Sequence, residues 1–189
     1  LLMLISCKTM PEKIVSKARL NSVQLTAFLM YMNPELDKER VMKISSIYIE
    51  ESQTESINSD IAFAQMCLET GFLTFGGLVK SDMNNFCGLG ATDIHNIGVS
   101  FENEQLGIRA HIQHLKAYAS KKPLKNECID PRYKYVNPKG KAPSIKNLAG
   151  KLSLKETGAL LSQTSFLLTN DSGPFHIARG VGCKTFVIF

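Results

Sequence analysis

The feature that most constrains this chain is the run from Asp60 to Gly71. Ile61, Ala62, Phe63, Ala64, Met66, Cys67 and Leu68 place apolar groups on nearly every side of a helix, and Glu69 sits at its end. A helix that is apolar all round is expected in the centre of a domain. Asp60 is a candidate N-cap and Gly71 the natural stop just past the last turn. The sequence therefore puts a carboxylic acid at the carbonyl end of a buried helix, where the dipole disfavours a negative charge. Apolar neighbours Leu68, Phe72 and Phe75 are expected to desolvate it, so both effects raise its pKa.

Around this run the chain has helical character. Asn33-Pro34 reads as a cap followed by Pro at the first helical position, opening a helix over 35–51 with Leu36, Val41, Ile44, Ile47 and Tyr48 on one side. Residues 8–33 alternate without a clean period, and 52–59 reads as a polar loop. Residues 72–101, rich in Gly and Asn, suggest loops and short extended pieces. Leu106, Ile108, Ile112, Leu115 and Ala119 predict a further helix over 104–119. The segment from Lys121 to Lys141 is basic and broken by three prolines, so it is expected to wrap the surface.

Composition narrows the function classes. In 189 residues, 44% are hydrophobic and 21% charged, so a globular core is affordable and disorder is excluded. The net charge of +5 favours anionic partners, either wall polymers or nucleic acid. With no Trp in the chain, any sugar stacking falls to Phe or Tyr. The five Cys, at 7, 67, 87, 128 and 183, include no C-x-x-C pair, which argues against a zinc ribbon or redox motif. Cys67 reads as a small buried hydrophobe. His111 and His114 lie three apart, but without a third ligand nearby they are expected to pack or bond on a helix flank, and no metal is expected.

Three ordered blocks carry a family resemblance. They are Asp60-Ile-Ala-Phe-Ala-Gln-Met-Cys-Leu-Glu69-Thr-Gly with the following residues to Gly77, then Asn84-Asn85-Phe86-Cys87-Gly88-Leu89-Gly90-Ala91-Thr92, and Gly107 to Ser120 with Asp130-Pro-Arg-Tyr-Lys-Tyr135. Over about residues 40–145 the chain resembles the family 73 glycoside hydrolases, glucosaminidases of peptidoglycan. The resemblance implies a mainly α, lysozyme-like domain that hydrolyses the β-1,4 bond after N-acetylglucosamine, needing no cofactor and no nucleic acid, and working as a monomer. Its catalytic acid falls on Glu69, and Asn84, Asn85, Phe86 and Gly88 would shape the cleft floor, with Phe72 and Phe75 beside it as substrate contacts. The second carboxylate is variable in that family. Glu51, Glu55, Asp93, Glu102 and Glu104 are the candidates, and Glu102, on the loop before the 104–119 helix, is favoured as the group that activates water.

The two ends read differently. Leu4-Ile5-Ser6-Cys7 resembles a lipobox, so residues 1–7 are expected to be a secretory signal remnant, with Cys7 lipidated and the protein exported and membrane-anchored in a bacterial envelope. Residues 8–146 form the expected glucosaminidase domain. Residues 147–189, with an expected helix over 154–162, strands over 166–169 and 184–189 and parallel pairing, resemble a piece of the family 9 glycosyltransferases. In that reading Asp171, Ser172, Gly173 and His176 form a vestigial nucleotide-sugar turn in a short, incomplete Rossmann-like α/β fragment. A non-catalytic wall-binding module and a transferase fragment stand as the alternative functions.

Overall fold

The computed structural model describes residues 13–144, 167–170, 182 and 185–188. The chain divides into two compact units, Leu1–Ile145 and Lys146–Phe189. The first is mainly helical: α1 (Ser22–Met32), α2 (Lys38–Glu55), α3 (Ser59–Thr70) and α4 (Glu104–Ala119). A small antiparallel hairpin, β1 (Ala91–Asp93) and β2 (Asn96–Ile97), pairs Ala91 with Ile97 and Asp93 with Asn96. In the second unit β3 (Leu167–Asn170) and β4 (Thr185–Ile188) pair in parallel, as their apolar runs suggest. The expected signal and Cys7, the 154–162 helix, and Asp171, Ser172, Gly173 and His176 lie outside the described residues.

The centre of the domain is α2 rather than α3. α2 packs against α1, α3 and α4, and its Val41, Ile44, Ser45, Tyr48, Glu51, Ser52 and Glu55 are all buried. That stripe keeps helical spacing through two carboxylates, which is why the helix runs four residues past the expected end at Glu51. Each carboxylate is neutralised from outside the helix. The Arg109 guanidinium of α4 makes a two-pronged pair with Glu51, at 3.0 and 2.8 Å. Glu55 is 1% exposed and accepts from Lys116 Nζ of α4 and from the backbone N–H groups of Lys125 and Asn126. Burial alone would raise the pKa of Glu55, but the Lys116 ammonium and these N–H groups bring it below the ordinary value. Near the other end of α2, Arg40 and Lys43 pair with Glu104 at 2.8 and 3.0 Å.

By contrast α3 is buried on one side only: Ala62, Phe63, Met66, Cys67 and Thr70 face the core, while Ala64, Leu68 and Glu69 are exposed. Its cap is Asn58, whose side chain accepts from the N–H groups of Asp60 and Ile61. Asp60 instead accepts from Arg19 and Leu20 N–H, tying down the segment before α1. Gly71 ends α3 as expected, at φ +58°. Asn33 closes α1 and donates to Phe72 O, leaving Asp37 to cap α2. The 104–119 helix appears with the expected bounds.

Two outcomes check this packing. A Cβ on Gly107 of α4 would sit 1.7 Å from Asn84 O. Gly107→Ala, which inside an ordinary helix gains about 1 kcal/mol, is therefore expected to lose about 2 kcal/mol in urea unfolding as the Asn84 loop is pushed off; a net gain would contradict the contact. Lys116→Met strands the Glu55 charge and is expected to cost about 3–5 kcal/mol at neutral pH. Because Glu55 has a lowered folded pKa, its stabilisation holds above the ordinary carboxylate range and is lost as pH falls through the folded value. The gap between wild type and Lys116→Met should thus close in acid; a gap independent of pH would contradict the pairing.

Candidate active site

Glu69 lies in the last turn of α3, on its exposed side. The helix stops there because Gly71 adopts a left-handed conformation, and the chain then continues in that region at Phe72, Leu73 and Phe75, with φ of 56°, 63° and 50°. Non-glycine residues enter this region at a cost. Local hydrogen bonds hold them: Phe72 N–H to Cys67 O at 2.7 Å, Leu73 N–H to Thr70 Oγ1 at 2.9 Å and Phe75 N–H to Thr70 O at 2.9 Å. The backbone therefore turns away sharply and leaves Glu69 uncovered.

The loop 84–90 forms the other side. Gly88, at φ +64°, comes so close that a Cβ there would lie 3.8 Å from Glu69 Oε2. Asn85 builds this loop: its Nδ2 donates to Leu89 O and Val99 O, both at 2.9 Å, and its Oδ1 accepts from Leu89 N–H. Asn84 donates to Phe101 O at 3.0 Å, and Phe101 N–H returns to Met83 O. This ties the segment leading to Glu102 to the loop beside Glu69. Glu102 itself is exposed, and among the described residues it makes no ion pair.

The surroundings of Glu69 shift its pKa upward. Partial burial raises its pKa, and the Gln65 side chain, one turn earlier, offsets part of the rise. Glu69 and Asp130 both push the thiol of Cys87 upward, though burial is the larger cause there. Cys67 is buried as expected, and its thiol is pushed up to about 12 by desolvation.

Several expected contacts are placed elsewhere. Phe86 is fully enclosed, packed edge-on against Tyr48 and Phe75, so it supports the site from beneath and has no free face for a sugar. Phe75 is buried with it. Phe72 is half-buried against Phe28 and keeps part of its ring accessible. Leu68 points to solvent at 45% exposure, so it contributes little to desolvating Glu69. The amide of Asn85 is engaged by backbone, which leaves Asn84 as the more accessible of the pair. Among the other acids, Glu51, Glu55 and Glu104 are held by basic side chains, and Asp93 is exposed and accepts from His95 and Asn96 N–H in the hairpin turn.

Other residues take contacts that the sequence did not specify, although their blocks carried the family resemblance. Asp130 is buried, accepts from His114 Nδ1 at 2.9 Å and from Arg132 N–H, and shares the neighbourhood of Cys87 with Glu69. Half-buried Tyr118 packs edge-on against His114, and Tyr133 lies next to the same turn. His111 is sealed between Tyr48 and Gln65. Among the described residues no group of three or more His, Cys, Asp or Glu is placed to hold a metal. A separate hollow bounded by Val15, Lys17, Ile49, Gln53 and Ile57 has no acid in its wall. No helix among the described residues is long and apolar enough to cross a membrane.

Comparison with known proteins gives the family. The family model described as mannosyl-glycoprotein endo-beta-N-acetylglucosaminidase, or glucosaminidase, matches residues 45–159. It therefore runs past residue 146 into the part of the chain, 147–189, that resembles the transferases. An uncharacterized protein of Borreliella burgdorferi is 46% identical over 138 residues, which is 73% of this chain and 67% of that one. No solved structure matches the chain significantly. With the match running from within α2 through α3, the Glu69 loop and α4, the chain belongs to the glucosaminidase family.

Proposed function

We propose that this chain hydrolyses the β-1,4 bond after N-acetylglucosamine in peptidoglycan, with Glu69 as the general acid. The observation that carries this reading is an accessible carboxylic acid with a raised pKa, at the end of α3 against Gly88. A glycosidic oxygen leaves only if it is protonated, so the acid must hold its proton at working pH while reaching solvent-borne substrate. Desolvation and the carbonyl end of α3 serve the first need, and the sharp left-handed exit at Gly71 serves the second.

Glu102 is the proposed activator of water. It is an exposed carboxylate outside the ion pairs that hold Glu51, Glu55 and Glu104, and its loop is fastened to the Asn84–Gly90 loop through Asn84 and Phe101. Phe72 and Asn84 are the accessible groups suited to binding sugar. Wall polymer as substrate is supported by the net charge of +5 and by lysines at 121, 122, 125, 134, 139 and 141. Export to the envelope, with Cys7 as a lipid anchor, would bring the enzyme to this substrate.

Purified sacculi test the reading. Glu69→Gln is expected to reduce release of new N-acetylglucosamine reducing ends by about 100-fold or more. Its melting temperature should match or slightly exceed wild type, because a carboxyl with a raised folded pKa costs stability when ionised at neutral pH and the amide does not. Retained turnover, or a loss that merely follows unfolding, would refute Glu69 as the acid. Sacculus binding without release by wild type would favour a wall-binding module instead. Glu102→Gln should lower turnover by at least about tenfold while Glu104→Gln does so only through stability; equal turnover in Glu102→Gln and wild type would remove Glu102 from the chemistry.

A further inference from the structure

We propose that Tyr48, His111 and Gln65 form a hydrogen-bonded relay that positions Glu69, reaching it from the interface between α2 and α4. The proposal rests on the reading of Glu69 as the general acid. Tyr48 of α2 and His111 of α4 are both completely buried, and Tyr48 Oη lies 2.9 Å from His111 Nδ1. The other ring nitrogen, Nε2, lies 3.2 Å from Gln65 Oε1 on α3. Gln65 and Glu69 are four residues apart on one helix, the spacing at which side chains meet.

Chemistry fixes the direction of every bond. Burial, with a smaller contribution from His114, brings the pKa of His111 down to about 3, so the ring is neutral and carries a single N–H. Gln65 Oε1 is a carbonyl oxygen and only accepts; the N–H is therefore on Nε2. Nδ1 is left as an acceptor and receives the Tyr48 O–H, which burial holds protonated well above the ordinary tyrosine range. With its oxygen engaged, the Gln65 amide presents its NH₂ to the Glu69 carboxylate. Reversing the amide would leave Tyr48 O–H without an acceptor among the described residues and would turn a carbonyl against a carboxylate. The sequence of donors thus runs one way, from Tyr48 to His111 to Gln65 to Glu69.

The relay has two consequences for the acid. It fixes the rotamer of Gln65, and through it the orientation of the carboxyl. It also stabilises the ionised form, opposing the desolvation that favours the proton. Other groups near Glu69 are Cys87 and Gly88 from the facing loop, with Asp130 acting on the same thiol and His114 paired to Asp130. Gln65 stands one turn before Glu69 and is tied back to the core through His111, so Gln65 is the positioning residue.

The test measures kcat, KM and the pH profile of the full chain on purified sacculi, together with a 13C carboxyl titration of Glu69 assigned by its loss in Glu69→Gln. Gln65→Met removes the last donor from a half-buried position. It is expected to move the alkaline limb of kcat and the carboxyl titration to higher pH, and to lower kcat about tenfold with KM nearly unchanged. Tyr48→Phe frees the ring tautomer and should shift both in the same direction by less; if that buried substitution unfolds the domain, Gln65→Met alone decides. An inactive Glu69→Gln beside Gln65→Met with the wild-type profile and titration would overturn the relay and leave the acid in place. Wild-type turnover in Glu69→Gln would overturn both.

Discussion

The structure depends on the pairing of α2 with α4. Along this seam Val41 and Ile44 of α2 and Ile108 and Ile112 of α4 are buried, and the same seam holds the Tyr48–His111 contact and the Glu51–Arg109 and Glu55–Lys116 pairs. Ionised groups leave water at a cost of several kcal/mol each in realistic terms, and that cost is offset only where hydrogen bonds fill the remaining valences. Glu55 meets that condition with one ammonium and two backbone N–H groups. Because those N–H groups belong to Lys125 and Asn126, the seam also anchors the basic segment that follows α4. A charged interface of this kind has one register: sliding α4 by a turn would leave every carboxylate without its partner.

α3 is set against this seam and carries the acid outward. Its inner side joins the core through Phe63 and Met66, and its Gln65 contacts His111. At its end the chain enters the left-handed region at Gly71 and returns to it at three non-glycine residues. Strain at such positions is retained where neighbouring bonds outweigh it, and here Thr70 makes two of those bonds, through its hydroxyl and its carbonyl. The result is a carboxyl that is open to solvent on one side and bounded by Gly88 on the other. Any larger side chain at position 88 would meet both the left-handed backbone and the carboxylate.

Much of this was legible in the sequence, and the misses have physical reasons. α4 was readable because its apolar period is clean and Asn103 and Ser120 are polar boundaries; the exit at Gly71 was readable because only glycine enters that conformation freely. α1 was not, since Val23, Phe28, Tyr31 and Met32 are exposed apolar groups that erase the period. The end of α2 was misjudged because Glu51 and Glu55 look like surface charges until Arg109 and Lys116 arrive from a distant helix. Asp60 looks like a cap, but Asn58, two residues earlier, has the geometry. The same limit governs the site. Glu69 stood out through its position on a helix, a local property. Phe86 and Phe75 passed for sugar platforms because a buried and an exposed ring look alike in a sequence, and Gln65 and His111 acquire their meaning only across three helices.

The central claim is that Glu69 faces a glycosidic oxygen. A crystal structure of Glu69→Gln bound to a peptidoglycan oligosaccharide tests it most directly. The account requires the side-chain amide of residue 69 within hydrogen-bond distance of the bridging oxygen that follows an N-acetylglucosamine, with Gly88 beneath the sugar. An oligosaccharide seated elsewhere on the domain, or one whose bridging oxygens all lie beyond the reach of residue 69, would contradict it.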